Sequence, residues 1–408
     1  MWVSLAPAFY GIRNFLTVQK EELSSFLETK KGSKEVPGGS VTPSVYSGTS
    51  PPYVLPYRRR LGGIERKIVM ELMQTLRQLC ALRGVSGEED AVREGIRGML
   101  GSDCTASVDP MGNLIVFKKG ATPGKAKLMV SAHMDEVGFI ITGIREDGTL
   151  RFSAVGGIIS TAVLGRRVTV GPKGLPGVIS AKPIHLQKGS ERENLPEIDD
   201  MVIDIGAKDK ATAEQQVTPG DTACFDEPFM PFGKGLIASR ALDDRVGCAV
   251  MVELCLKPLP CDVWFTFVTC EEVGLRGAEA AAFSVAPEKA IVLEGTTASD
   301  LAGTPADEAV CRVGGGAVLS FMDRATIYDK EFLREAEEVA RKKEIPCQRK
   351  LAVAGGNDAG VIHKSRGGVK TLAVSVPCRY IHTASCVASE EDILAVYRLA
   401  EALIEENA

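Results

Sequence analysis

From residue 70 onward, short runs of consecutive apolar residues alternate with longer stretches in which apolar positions recur at three- and four-residue intervals. The short runs cover residues 113–117, 128–132, 263–269, 290–293, 317–321 and 371–376. Most lack the polar alternation of a half-solvated strand, which predicts strands covered on both faces. The longer stretches, 70–81, 243–256, 330–343 and 390–405, carry helical spacing. Ser389 stands where the last of these needs an N-cap, and Ser86-Gly87-Glu88-Glu89 has the spacing of a capping box that would open a further helix through Leu100. The 330–343 stretch, rich in Lys and Glu, predicts an amphipathic surface helix. Alternating strands and helices give an α/β fold, a mixed sheet sandwiched by helices.

Two segments break this rhythm. Between residues 137 and 235 the runs shorten, β-branched residues and glycine become frequent, and strands are predicted at 166–170, 177–180 and 199–205 with almost no helix. This is the texture of a β-rich, barrel-like domain inserted into the α/β domain formed by 70–136 and 236–408. The first 69 residues hold ten Lys or Arg against five Asp or Glu, so they carry +5 and leave −10 on the rest of a chain whose total is −5. From 32 to 56 the segment is rich in Gly, Ser, Thr and Pro without apolar periodicity, which predicts a disordered extension. It fits neither a signal peptide nor an organelle transit peptide. An alternative expectation is that translation begins at Met70.

Composition excludes some functions. With 408 residues, 45% hydrophobic and 25% charged, the chain can build two domains. A net charge of −5 gives nucleic acid and anionic membranes no attraction, and no apolar stretch is long enough to span a bilayer. The eleven cysteines lie singly, several of them (Cys248, Cys255, Cys270) inside apolar runs, as in a protein of the reducing cytoplasm.

Candidate chemistry begins at Glu271 and Glu272, two adjacent acids at the carboxyl end of the 263–269 strand. Successive side chains on a strand point to opposite faces, so the two can serve different partners. Only four histidines occur. His133 and His382 follow predicted strands, Glu294 follows another, and Asp243-Asp244 begins a predicted helix. If the strands are parallel, these ends meet on one rim, where open α/β sheets bind ligands. Two imidazoles and several carboxylates suit zinc, cobalt or manganese in a hydrolytic site, and two ions need one bridging carboxylate with about two terminal ligands each. Asp135, two residues from His133, could hold the imidazole in one tautomer. His185 and His363 adjoin no carboxylate pair and are read as structural.

Five motifs carry a resemblance: Ser131-Ala-His-Met-Asp-Glu-Val-Gly-Phe, Arg240-Ala-Leu-Asp-Asp-Arg-Val-Gly-Cys, Thr269-Cys-Glu-Glu-Val-Gly-Leu-Arg-Gly-Ala, Gly356-Asn-Asp-Ala-Gly and Arg379-Tyr-Ile-His. In this order they resemble the tetrahedral (TET) and glutamyl aminopeptidase family of dinuclear-metal peptidases, from about residue 70 to the C-terminus. The resemblance implies a phosphorylase/hydrolase-like zinc peptidase fold with an inserted β-rich dimerisation domain. It implies that Asp243 bridges two metals, His133 and Glu294 completing one site and Glu272 and His382 the other. Glu271 would be the general base and Asp135 the orienter of His133, with Asp244 and Arg245 as structural support and Asp358 near the pocket. Glu294 departs from the family, which commonly has Asp there. The implied activity is release of N-terminal amino acids from peptides by a metal-activated water, zinc first among the metals, in dimers assembling into a dodecamer. Three rival readings compete with it: a metal-independent endoglucanase-type glycoside hydrolase, a dinuclear N-acyl amino acid deacylase, and a non-enzymatic protein that kept the fold.

Overall fold

The structure, a computed structural model, describes residues 62–301, 303–305 and 308–408. Most of the expected extension, residues 1–61, lies outside the described residues. Helix α1 (Gly63–Ala81) opens upstream of Met70, so residues 63–69 are helical where a disordered extension was expected. Its first turn is fastened by Glu65, which accepts from the Gly62 amide at 3.0 Å and meets Arg398 at 3.3 Å. Helix α2 (Asp90–Met99) starts after Glu89 without the capping box. Ser86 and Glu89 are turned away from the helix and toward the rim of the sheet, for reasons the site makes plain.

Strands β1 (Cys104–Val108), β2 (Leu114–Lys118) and β3 (Leu128–His133) follow. The chain then leaves the sheet for β4 (Gly138–Ile144), β5 (Leu150–Val155), β6 (Arg167–Val170), β7 (Leu175–Ser180), β8 (Val202–Asp204), the short helix α3 (Lys210–Glu214) and β9 (Thr222–Phe225). These six strands close into a barrel in the order β4-β5-β8-β7-β6-β9, the form taken by the β-rich stretch. Closure removes free edges, and Phe139, Phe152 and Phe225 fill the interior, Phe139 meeting the other two edge-on at 5.1 and 5.2 Å.

After β10 (Met230–Phe232) and β11 (Leu236–Ser239), the main layer resumes with α4 (Leu242–Cys255), β12 (Val263–Val268), α5 (Arg276–Val285), β13 (Lys289–Thr297), β14 (Ala317–Leu319) and α6 (Lys330–Lys342). It ends with β15 (Cys347–Arg349), α7 (Ala359–Ile362), β16 (Lys370–Cys378), β17 (Cys386–Ser389) and α8 (Glu390–Glu406), the last capped by Ser389, which accepts from the Glu391 amide at 3.2 Å. The mixed eight-stranded sheet runs β1-β2-β12-β3-β13-β16-β14-β15, and its four central strands β12, β3, β13 and β16 are parallel. Alternate residues of these strands enter different cores. Val130, Phe265, Ile291 and Val374 pack with α1, α4, α6 and α8, whereas Met129, Val268, Val292 and Ala373 pack with α5 and α7. Both faces are therefore covered, which is why the strand sequences are apolar throughout.

Candidate metal centre

The parallel register brings the carboxyl ends of β3 and β12 level, with Val268 opposite His133. Beyond β12 the chain turns at Cys270 with a left-handed φ of 56° and presents Glu271 and Glu272. Glu294 lies inside β13, opposite Ser375 of β16, rather than at the strand end expected for it. Gly295, next in the strand, leaves room for Asp243 beside it: a Cβ there would stand 2.9 Å from Asp243 Oδ1. Asp243 enters from α4 with non-helical φ and ψ of −86° and 107°, after a left-handed Ala241 and before a cis peptide bond to Asp244. His382 comes from the link between β16 and β17, itself left-handed at 59°.

These side chains form two groups joined by Asp243. His133 Nε2 lies 3.5 Å from Asp243 Oδ1 and 3.3 Å from Glu294 Oε1. His382 Nε2 lies 3.3 Å from Asp243 Oδ2 and 3.3 Å from Glu272 Oε2. Glu271 stands farther from the imidazoles, its Oε2 4.0 Å from His133 Nε2 and its side chain 11% exposed, and it shares with His133 and Glu272 a cluster that could itself hold an ion.

Four consecutive amides of the turn that carries the paired acids are each held by a side chain. Thr269 N donates to Asn113 Oδ1 at 2.9 Å and Cys270 N to Glu89 Oε1 at 3.0 Å. Glu271 N and Glu272 N donate to the two oxygens of Asp135 at 3.0 and 3.1 Å. Ser86 Oγ also donates to Asp135, at 2.6 Å. Asp135, fully buried, thus ties the Glu271-Glu272 turn to His133, whose Nδ1 lies 3.1 Å from the Asp135 carbonyl. Asn113, Ser86 and Glu89 were not among the sequence-predicted site residues. Ser86 and Glu89 carried a capping signature that hid their use here.

The charge balance is one-sided. Asp135, Asp243, Asp244, Glu271, Glu272, Glu294 and Asp358 surround two imidazoles, and buried oxygens of Asp243, Glu272, Glu294 and Asp358 have no hydrogen-bond partner. Burial pushes Glu271 and Glu294 well above the carboxylate range and Glu272 and Asp358 to about 7. Burial pulls both histidines down, yet the surrounding carboxylates overcome it, raising His133 well above its ordinary value and His382 to about 9. Asp243 moves the other way. Burial raises it, but the two imidazoles beside it hold it low. Unpartnered buried carboxylate oxygens beside imidazole nitrogens are a donor set that fits divalent cations, which neutralise the surplus and supply the missing partners.

The remaining sequence-predicted residues have simpler places. Asp244 accepts from the His133 amide at 3.3 Å and the Gly247 amide at 2.9 Å, and with His133 and Glu294 it also forms a cluster that could hold an ion. Arg245 is fully buried and donates to the carbonyls of Met134 at 2.9 Å and Leu82 at 3.1 Å, locking α4 to the end of α1. Asp358 is buried at the start of α7 with both oxygens unpartnered. His363 bonds within α7, Nδ1 to the Ala359 carbonyl at 2.7 Å, and His185 is exposed on a barrel connection.

The family profile described as M42 glutamyl aminopeptidase matches residues 112–399. The chain belongs to this family. The M42 chain is 40% identical over 338 residues to a putative aminopeptidase of Acetivibrio thermocellus, covering 82% of this chain and 98% of that one. Among solved structures, an aminopeptidase of the archaeon Desulfurococcus kamchatkensis superposes with a TM-score of 0.79 at 32% identity, over 83% of this chain and 96% of its own. The TET1 peptidase of Pyrococcus horikoshii, which can assemble into a tetrahedron or a large octahedral shell, gives 0.71 at 33% identity over 82% and 98%. This M42 protein is accordingly a metal-dependent aminopeptidase, a hydrolase of peptide bonds. Among the described residues no helix is long and apolar enough to cross a membrane.

Proposed function

We propose that this aminopeptidase works with two divalent ions, zinc in both positions, shared through Asp243. The observation that carries the reading is that the two oxygens of one carboxylate each face a different imidazole–glutamate pair. His133 and Glu294 would hold one ion and Glu272 and His382 the other. When bound, such ions lower the pKa of a shared water and polarise a carbonyl oxygen. Glu271 takes the proton of the attacking water and returns it to the leaving amine nitrogen as the C–N bond breaks. Its greater distance from an imidazole nitrogen, 4.0 Å against 3.3 Å for Glu272, supports the base over the ligand role. Asp135 holds the tautomer of His133 and the direction of Glu271 and Glu272 together. The acidic surplus also suits a substrate with a free, cationic α-amine. Imidazoles in both groups are what a metal peptidase needs and what a pair of glycosidase carboxylates does not.

The same reading makes the barrel the surface through which subunits pair into a twelve-subunit shell, as its exposed Ile159, Ile184, Leu186 and Leu195 suggest. All eleven cysteines are free thiols, in keeping with a cytoplasmic location. The test of the base assignment is Glu271→Gln, in which turnover on aminoacyl anilides is expected to fall by roughly two or more powers of ten while metal content stays at two ions. Near-normal turnover with full metal content would remove Glu271 from that role.

A further inference from the structure

The two imidazoles of the centre are held in different ways. His133 is 1% exposed, and its Nδ1 is taken up by the carbonyl of Asp135, two residues along the same chain segment. His382 has a side chain 35% exposed on a left-handed backbone, and its Nδ1 meets the carbonyl of Gly157 at 3.2 Å, 225 residues away. Gly157 follows β5, the second strand of the barrel. A carbonyl only accepts, so this contact fixes a proton on Nδ1 and makes Nε2, which faces Asp243 and Glu272, the nitrogen that would bind an ion once its own proton is lost.

The barrel backbone lies against this half of the centre with no room for a side chain. A Cβ on Gly157 would come within 3.2 Å of His382 Nδ1 and 3.7 Å of its Cε1. A Cβ on Gly156, whose φ is 84°, would come within 2.8 Å of Val137 Cγ1, 3.3 Å of Glu272 Cβ and 3.4 Å of its Oε2. Adjacent glycines thus lie against both terminal ligands of one group. We propose that Gly156-Gly157 is a positioning shelf through which the inserted barrel builds the His382–Glu272 half of the metal centre. The inference rests on the two-ion reading above. The barrel then has a part in the chemistry of its own subunit, separate from any part in assembly.

Gly157→Ala tests it, because no positive φ strains that position and the new methyl acts only by pushing the His382 ring off its carbonyl. In full-length protein titrated with zinc, the wild type is expected to bind two ions per subunit. The variant is expected to keep one at wild-type affinity and bind the other roughly ten- to a hundredfold more weakly, the usual cost of losing an orienting partner. Excess zinc should restore turnover. Gly165→Ala, in the same barrel with open space around it, should keep both ions at wild-type affinity. Two ions bound at wild-type affinity in Gly157→Ala, or equal weakening of both, would overturn the shelf. A wild type that binds a single ion would instead overturn the two-ion reading.

Discussion

Glu271 and Glu272 are neighbours in sequence with the same side chain, and their surroundings separate them. Glu272 is 4% exposed and 3.3 Å from an imidazole nitrogen, whereas Glu271 is 11% exposed and no closer than 4.0 Å to one. Adjacency at a strand end made this division legible, but the direction of each acid comes from Asp135, which takes both amides. Glu294 is longer than the family's common aspartate, yet its Oε1 lies 3.3 Å from His133 Nε2. Glu294→Ala should reduce bound metal from two ions toward one by elemental analysis, with the His382 half retained; an unchanged metal content would exclude it as a ligand.

The concentrated charge also sets a pH dependence for metal-stripped protein. Burial raises Glu272 and Asp358 to about 7, so the folded state favours their protonated forms, and that stability is lost as pH rises through 7. His382, raised to about 9 by Asp243 and Glu272 against the pull of burial, contributes stability that is present below its ordinary 6.5 and lost as pH rises through 9. The two signs agree. The melting temperature of the stripped enzyme should fall steadily between about pH 5 and 9, the span of these shifts, and added zinc should restore it. A flat profile in the stripped form would show that these groups are not perturbed as described.

Among the elements, helices α4, α6 and α8 were predicted to within one residue of their bounds, whereas α1 opens seven residues earlier than expected. Helix α8 ran one residue beyond its expected end, with Ser389 capping it as the sequence indicated. Ser389→Ala should cost about 1 kcal/mol of stability in denaturant unfolding and leave turnover per bound metal unchanged; loss of turnover at full metal content would tie this cap to the site. The Ser86–Glu89 signature failed because side-chain oxygens that can cap a helix can equally take amides elsewhere, and here Glu89 takes the amide of Cys270 at 3.0 Å. Edge strands β1 and β15 escaped notice because they are short and partly exposed, with little apolar pattern to read.

For the whole molecule, the insertion was legible as a change of texture with a barrel-like form expected for it, but its contact with His382 was not. Self-association through the barrel predicts that Ile184→Glu with Leu186→Glu, both on one exposed turn, shifts the sedimentation coefficient to smaller species; an unchanged assembly would place the contacts elsewhere. By itself the sequence determined the layered α/β architecture, because apolar runs and helical spacing record burial directly. It also singled out two imidazoles and several carboxylates as candidate ligands, and the family resemblance carried by its motifs supplied their expected roles. Only the tertiary structure decided which oxygen faces which nitrogen, that Ser86, Glu89 and Asn113 serve the rim instead of local caps, and that a barrel glycine holds a histidine 225 residues away. These depend on strand register and on backbone carbonyls and amides, which every residue carries alike and no sequence pattern marks.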